Sequence, residues 1–472
     1  MSVFYCLNPY FIMSFKHMNV LKPTVVCYFA FLVPRVLSAS AYHGFRQPVY
    51  STKTPYQWLL DNREENSSIE FGNTSAEGCI PIHVNFLVRH GAREPGAKDV
   101  KKFSALGLKV KKELEASKEH TFLPLMNWIN RFEGNDKELV EIGRDEQFEL
   151  GSRLGKRFKD VLAKFNAEGI QFIVSSKSRT KDSAVAFYHG IMPQLGQDLT
   201  SDEGMVISLS DETLRFFDNC DKYVKDVDNN DGALKEFLKF LESDAMTNIA
   251  KNVSNRLEMR DVPITTAEVR TMFYLCCIET AFYNSSGWCS GLEEHDLPVL
   301  EYLMDLKHYW KKAYGYDINY LQSCPLTADI FGSIKEAVQK YKEGKQYITG
   351  VFRFGHAETI LPLYAILGLY KDEQPLLADN YLQHKNRKFL SSLICPFSAN
   401  IGFIIYDCQL ESQGNDRFAV SVLVNEVPIH LPGCEKILCP LSKFQQLYSH
   451  ISSCNFSDIC FNDISETSRD EL

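Results

Sequence analysis

Val84-Asn85-Phe86-Leu87-Val88-Arg89-His90-Gly91-Ala92-Arg93-Glu94-Pro95 is the stretch from which the fold and the chemistry of this chain can be read. An apolar run of strand length stops at two arginines and a histidine set around a glycine. Ile82, Val84, Phe86 and Val88 recur every second residue, and Leu87 fills the other face. Both faces are therefore covered, the pattern of an interior strand in an α/β sheet. The polar cluster falls where the strand gives way to a loop, which is where open α/β sheets bind ligands. Two guanidiniums offer fixed donor forks for a phosphate, and Gly91 permits close backbone approach. Between them His90 is placed to act as a nucleophile toward an incoming phosphoryl group.

A turn with scattered surface charge is the plain alternative. Against it, R-H-G-x-R-x-P should arise by accident in a chain this long on the order of once in ten thousand sequences. The pattern also has a partner. Tyr347-Ile348-Thr349-Gly350-Val351-Phe352-Arg353-Phe354 reads as a second strand, followed by Gly355-His356-Ala357-Glu358 and a helical run from Thr359 to Leu369. A third junction lies at Ile170-Gln171-Phe172-Ile173-Val174, where Ser175 to Thr180 leads into a helix through Phe187 and carries Arg179. Free backbone donors at that helix start favour an anion. A phosphate monoester needs its equatorial charge neutralised, an in-line nucleophile and a proton for the leaving oxygen. These junctions hold all three.

RHGAREP resembles the signature of the histidine acid phosphatases, the branch of the histidine phosphatase superfamily that contains the phytases. Most of them have His-Asp at the second site. Here FGHAET (Phe354 to Thr359) is similar instead to the multiple inositol polyphosphate phosphatases. The resemblance runs from about residue 80 to residue 450 and is weakest in the middle. It implies a central mixed or parallel sheet flanked by helices, with an inserted, mostly α-helical domain. It also implies attack by His90 to give a phosphohistidine, a phosphoryl group bound by Arg89, Arg93 and Arg179, and a further donor in His356. Glu358 would protonate the leaving oxygen and later activate water. Phytate, lower inositol phosphates and 2,3-bisphosphoglycerate are the implied substrates, with no metal or cofactor. Two positions depart from those relatives: Ala92 stands where threonine is usual, and Glu94 brings an acid close to the pocket. The competing functions are a broad-specificity secretory-pathway acid phosphatase and a catalytically silent lumenal binding protein. The complete residue set speaks against silence.

Composition bounds the rest. The chain has 472 residues, ample for a large core. Its net charge of −9 argues against nucleic-acid binding, so a polyanionic substrate needs a local basic pocket. Lys98, close in sequence to the two arginines, and Lys307 on a later helix are candidate substrate contacts. Residues 1–41 read as a signal peptide, with Lys16, His17 and Lys22 before the apolar run Thr24 to Val33 and a small-residue cleavage site at Ala39-Ser40-Ala41. That run is too short to span a bilayer, and a mature protein without a membrane span is expected.

Twelve of the 14 cysteines follow the leader, an even set that can pair completely. Cys434 with Cys439, and Cys454 with Cys460, are spaced for local loops. Sequons at Asn66, Asn73, Asn252, Asn284 and Asn455 fit passage through the secretory pathway. The tail, residues 466–472, ends in Arg469-Asp470-Glu471-Leu472, which resembles the address read by the retention receptor of the endoplasmic reticulum lumen.

Along the chain, residues 42 to 80 read as a polar surface segment, and a helix is expected from Lys98 to about Lys118. Gly143 to Phe165 reads as an amphipathic helix whose charged residues form its outer face. From Ala233 the pattern is helical for nearly a hundred residues. The expected division is a discontinuous α/β catalytic domain, 42–232 and 324–465, with a helical insert at 233–323. Three closing strands follow, with a hairpin at Gln413 to Asp416.

Overall fold

The computed structural model describes residues 50–61, 78–116, 123–132, 134, 136–197, 205–259, 261–408, 417–452 and 454–461. The proposed signal peptide, the C-terminal tail, Asn66, Asn73 and the hairpin at 413–416 lie outside them. The described residues contain eight strands: β1 (Cys79–Arg89), β2 (Ile170–Val174), β3 (Ile207–Leu209), β4 (Gly350–Gly355), β5 (Asn400–Cys408), β6 (Phe418–Val424), β7 (Val427–Ile429) and β8 (Leu438–Pro440). They form one mixed sheet in the order β3-β2-β4-β1-β5-β6-β7, with β8 also paired to β6. The half from β3 to β1 is parallel and the half from β5 onward antiparallel. The helices that matter for the site are α1 (Ala97–Ala116), α2 (Glu141–Arg157), α3 (Ser178–Ile191), α4 (Thr266–Tyr283), α5 (Leu297–Lys312), α6 (Cys324–Lys342) and α7 (Ala357–Ile366).

β1 is the interior strand that its pattern implies, hydrogen-bonded to β4 on one side and β5 on the other. Its register with β4 and that of β4 with β2 place Phe86, Phe352 and Phe172 directly across from one another. The three rings form a row, with centroids 5.8 Å apart at each step and planes within 21°. Cross-strand aromatic pairs of this kind fix register and bury large apolar area. Leu150 and Leu154 of α2 and Phe187 and Ile191 of α3 are fully buried in the same core cluster. The opposite face of β1 adds a buried polar layer to Leu87: buried Asn85 and Arg353 bond each other, Arg353 pairs with Asp329 of α6, and Asn85 donates to Ser333. Every member has a partner, as a buried polar layer requires.

Between β3 and β4 the described residues contain helices and no strand. They begin at Asp211–Leu214, earlier than the apolar periodicity from Ala233 suggests. α4 starts at a capping box, with Thr265 and Glu268 bonding each other's backbone N–H groups. α5 buries Leu300, Leu303 and Leu306. The described residues all fall within one compact unit.

Three expectations are corrected. Cys434 does pair with Cys439, but Cys454 bonds Cys324 and Cys460 bonds Cys220; Cys79–Cys408 and Cys276–Cys289 complete the disulfides. Cys277 and Cys395 are buried free thiols, so the set does not pair completely. Short spacing favours a local loop, but tertiary packing decides which sulfurs meet. The segment around Tyr50 is not surface: Tyr50, Ser51, Thr52, Thr54 and Tyr56 are all buried. Nor are all the charges of α2 on its outer face. Glu146 is buried, accepting from the backbone N–H groups of Tyr56 and Ala92 and from the Ser398 hydroxyl. Burial raises its pKa, against the pull of those bonds.

Gly91 earns its place differently from what the sequence suggests. A Cβ on Gly91 would sit 2.1 Å from the Gly143 carbonyl oxygen, and one on Gly143 would sit 2.1 Å from that of Ala92. The two glycines let the loop after β1 touch the first turn of α2. Gln147, one turn on, then donates to the Arg89 carbonyl and to Ser398. Gly143→Ala should therefore destabilise the protein by roughly 1–3 kcal/mol or more, because backbone must move. Gly332→Ala, in α6 with nothing within 4 Å of the new Cβ, should be neutral or stabilising by roughly 0.5–1 kcal/mol. Denaturant midpoints of the two variants check this; equal shifts would refute it.

Candidate active site

Parallel pairing of β1 with β4 sets Arg89 opposite Gly355, so the next residues, His90 and His356, emerge side by side. Their rings lie 5.5 Å apart, centre to centre. Three backbone bonds hold the ends of β1, β4 and β5 together: Arg89 N to Ala399 O, His90 N to Gly355 O and Ser398 N to His90 O. Ser398 adopts a left-handed backbone (φ 56), a strained conformation at a site whose side-chain and backbone bonds are all made.

His90 has a defined tautomer. Its Nδ1–H donates to the Gly91 carbonyl at 2.8 Å, which leaves the Nε2 lone pair for the cavity. Burial, and then the charges of Arg89, Arg179, His356 and Arg93, hold its pKa well below the usual range. This disfavours the charged form of the ring. His356 is oriented from both sides, its Nδ1 accepting from Arg179 Nη2 at 3.3 Å and its Nε2 donating to Ser175 Oγ at 3.0 Å. Its pKa too is depressed, first by burial and then by Arg179.

The three arginines converge on the same space. Arg89 Nη1 donates to the carbonyls of Thr52, Cys395 and Pro396 at 2.7, 2.9 and 2.7 Å, and the guanidinium lies over the Phe397 ring. Arg89 therefore both binds the site together and lines it. Arg93 donates from Nη1 to the Glu94 carbonyl. In all three residues, Arg89, Arg93 and Arg179, the Nε is buried with no partner. An orphaned guanidinium donor is costly in a protein interior. The three guanidiniums line one cavity beside His90, an arrangement suited to an anion.

Glu358 stands in the first turn of α7, whose start is capped by the His356 N–H donating to Thr359 Oγ1. Its carboxylate accepts from Lys312 at 2.8 Å, and the side chain is 39% exposed into the cavity. Burial raises its pKa, but Lys312 and His356 outweigh this and hold it well below the carboxylate range. The cavity around these groups has a volume of about 440 Å³ and is walled by eleven lysines and arginines against four carboxylates. That is a small-molecule pocket with a strongly positive interior in an acidic protein.

Arg89, His90, Arg93, Arg179, His356, Glu358 and Lys307 all line this cavity. Burial, followed by Lys312, Arg270 and Lys311, depresses Lys307 to about 8. Lys98 is not brought to it. It is exposed in the first turn of α1, and Lys102, one turn further, takes the wall instead. Glu94 is half-buried outside the cavity wall, and Ala92 is fixed by its N–H bond to Glu146, so neither departure alters the wall itself.

Sequence reasoning missed Thr52, Lys53, Arg215, Arg270, His308 and Lys312. Lys311 and Lys312 follow Lys307 by one turn, so the α5 pair was within reach of helical periodicity. No local signal marks Lys53 or Arg215, which tertiary contacts alone bring in.

Three comparisons bear on this geometry. Residues 82–425 match the family model "Histidine phosphatase superfamily (branch 2)". Multiple inositol polyphosphate phosphatase 1 from Gallus gallus is 33% identical over 398 residues, covering 84% of this chain and 87% of that protein. The protein of the same name from Homo sapiens is 32% identical over 456 residues, covering 90% and 93%. Among solved structures, the Bifidobacterium longum multiple inositol polyphosphate phosphatase in complex with inositol hexasulfate superposes with a TM-score of 0.69 at 16% identity, covering 86% of this chain and 98% of that one. With two histidines, three arginines and a carboxyl gathered at the ends of parallel strands, and with a family model and relatives that cover most of its length, this chain belongs to the histidine phosphatase superfamily, branch 2.

Proposed function

We propose that this protein is a phosphomonoesterase that removes phosphate from inositol polyphosphates through a phosphohistidine. The convergence of Arg89, Arg93 and Arg179 on His90, each with an unpartnered Nε, carries this reading. His90 Nε2 attacks phosphorus in line, the bond to the inositol oxygen breaks, and that oxygen leaves with a proton from Glu358. Water then attacks the phosphohistidine, giving its proton to the Glu358 carboxylate as the phosphorus–nitrogen bond breaks. The arginines neutralise charge on the equatorial oxygens, which is the larger part of phosphoryl-transfer catalysis. In the empty site Glu358 is an anion paired with Lys312. A polyanion competes for Lys312, removes that support and returns the carboxyl to the protonated form its role as acid demands.

Lys307, Lys311, Lys312 and Arg270 fit the remaining phosphates of a substrate such as phytate, and 2,3-bisphosphoglycerate belongs to the same charge class. We assign catalysis to 42–232 with 324–465, and the distal basic wall to the helical insert 233–323, which carries Arg270 and α5. The disulfides fit an oxidising compartment. Of the sequon asparagines, Asn252, Asn284 and Asn455 are exposed. Residence in the endoplasmic reticulum lumen, through a retention receptor reading Arg469 to Leu472, completes the proposal.

His90→Ala should abolish release of phosphate from phytate while the protein stays folded, since His90 lies in a loop. Turnover above a few per cent of wild type would remove it as nucleophile. Glu358→Gln should lower turnover of an inositol phosphate by about 10²–10⁴-fold, and that of p-nitrophenyl phosphate far less, since its leaving group needs no proton. Equal losses would reduce Glu358 to a wall residue. Wild-type rates on phytate and on phosphotyrosine separate an inositol phosphatase from a broad acid phosphatase.

A further inference from the structure

Lys53 is built into the corner of the nucleophile. Thr52, just before it, gives its carbonyl to Arg89 at 2.7 Å and its hydroxyl to His308 at 3.3 Å. The turn that carries both is closed by Lys53 N to Tyr50 O and Thr54 N to Ser51 O. The Lys53 amine lies 5.3 Å from the centre of the Phe397 ring, which also meets Arg89 at 4.8 Å and sits 6.5 Å from the His90 ring. Tyr274 of α4 offers a second face at 5.5 Å. Neighbouring lysines are paired, Lys311 with Asp228 and Lys312 with Glu358. Lys53 makes neither an ion pair nor a hydrogen bond through its side chain to any described residue.

A recessed ammonium without a counter-ion is disfavoured unless something supplies the missing charge. The groups around Lys53 do not. Arg89 and Arg93 come from the end of β1 and the loop after it, and Lys312 from α5; all are cations. His308 is held uncharged by burial first and then by Lys312, and burial pushes Tyr274 up to about 12 and the Cys277 and Cys395 thiols up as well. Glu358 is the anion that bears most on Lys53 among the described residues, and Lys312 already holds it. We propose that Lys53 is a direct ligand of the substrate's phosphate, and that the arriving phosphate supplies the counter-charge with which its amine takes up a proton from solvent. This deepens the phosphatase reading and rests on it.

Burial, then Arg93, Arg89 and Lys312, depress the Lys53 pKa in the empty site. The amine is accordingly charged below that depressed value and neutral above it, and a bound dianion moves the value up. Proton uptake is therefore greatest between the empty-site and occupied-site values. As pH rises through this window, free enzyme must collect a proton to bind, so KM rises while kcat holds.

Calorimetric titration of inorganic phosphate into the whole protein, in buffers of different ionisation enthalpy at one pH, counts those protons. Lys53→Met should weaken phosphate by roughly 10- to 100-fold, the range of a charge-assisted hydrogen bond, and lower proton uptake. Lys53→Arg should keep phosphate binding yet also lose that part of the uptake, because a guanidinium is charged beforehand. Wild-type affinity in Lys53→Met, or undiminished uptake in Lys53→Arg, would overturn the assignment while leaving the phosphatase reading intact. Wild-type protein that binds no phosphate would overturn both.

Discussion

Everything at the site depends on the parallel pairing of β1 with β4 in the register that places Arg89 opposite Gly355. Parallel neighbours end at the same edge of the sheet, so two histidines 266 positions apart by their numbering become adjacent side chains. A slip of one residue would turn His90 or His356 to the other face, since side chains alternate along a strand. The Phe86, Phe352 and Phe172 row guards against that slip, because only one register stacks all three rings. Core packing and catalytic geometry are thus a single constraint.

The loop after β1 is held as tightly as the strand. Gly91 and Gly143 touch through backbone, Glu146 holds the Ala92 N–H, and Gln147 ties the Arg89 carbonyl to Ser398. α2 therefore acts as a clamp whose buried polar residues serve the site without entering it. Arg89 does the same from inside, spending one nitrogen on three carbonyls of remote segments and keeping the rest of the guanidinium at the cavity. Such anchoring is what a preorganised anion site needs, since donors fixed in advance do not have to reorganise when charge develops.

Electrostatics then follow from burial among like charges. Burial, and then neighbouring cations, depress Lys53, Arg179, Lys307 and the two histidines, and Lys312 holds the Glu358 carboxyl down. The site is a store of unfavourable positive potential. The polyphosphate substrate proposed for it carries the charge that balances this potential.

How much of this was legible beforehand varied with how local the cause was. The strands ending at Arg89 and Val174, α3, the helical middle and the meeting of Arg89, His90, Arg93, Arg179, His356 and Glu358 in one cavity were readable because alternation, strand-to-loop junctions and R-H-G-x-R signal themselves over a few residues. Lys53 and Arg215, the partners of Cys454 and Cys460, the burial of Glu146 and the turning of Lys102 rather than Lys98 to the cavity were not. Each depends on which remote segments meet, and no window along the chain contains that information. The sequence by itself determined the sheet-forming segments and the chemical type of the site. Only the tertiary structure decided which cations line the cavity, because a pocket wall is assembled from side chains that share a location and no pattern.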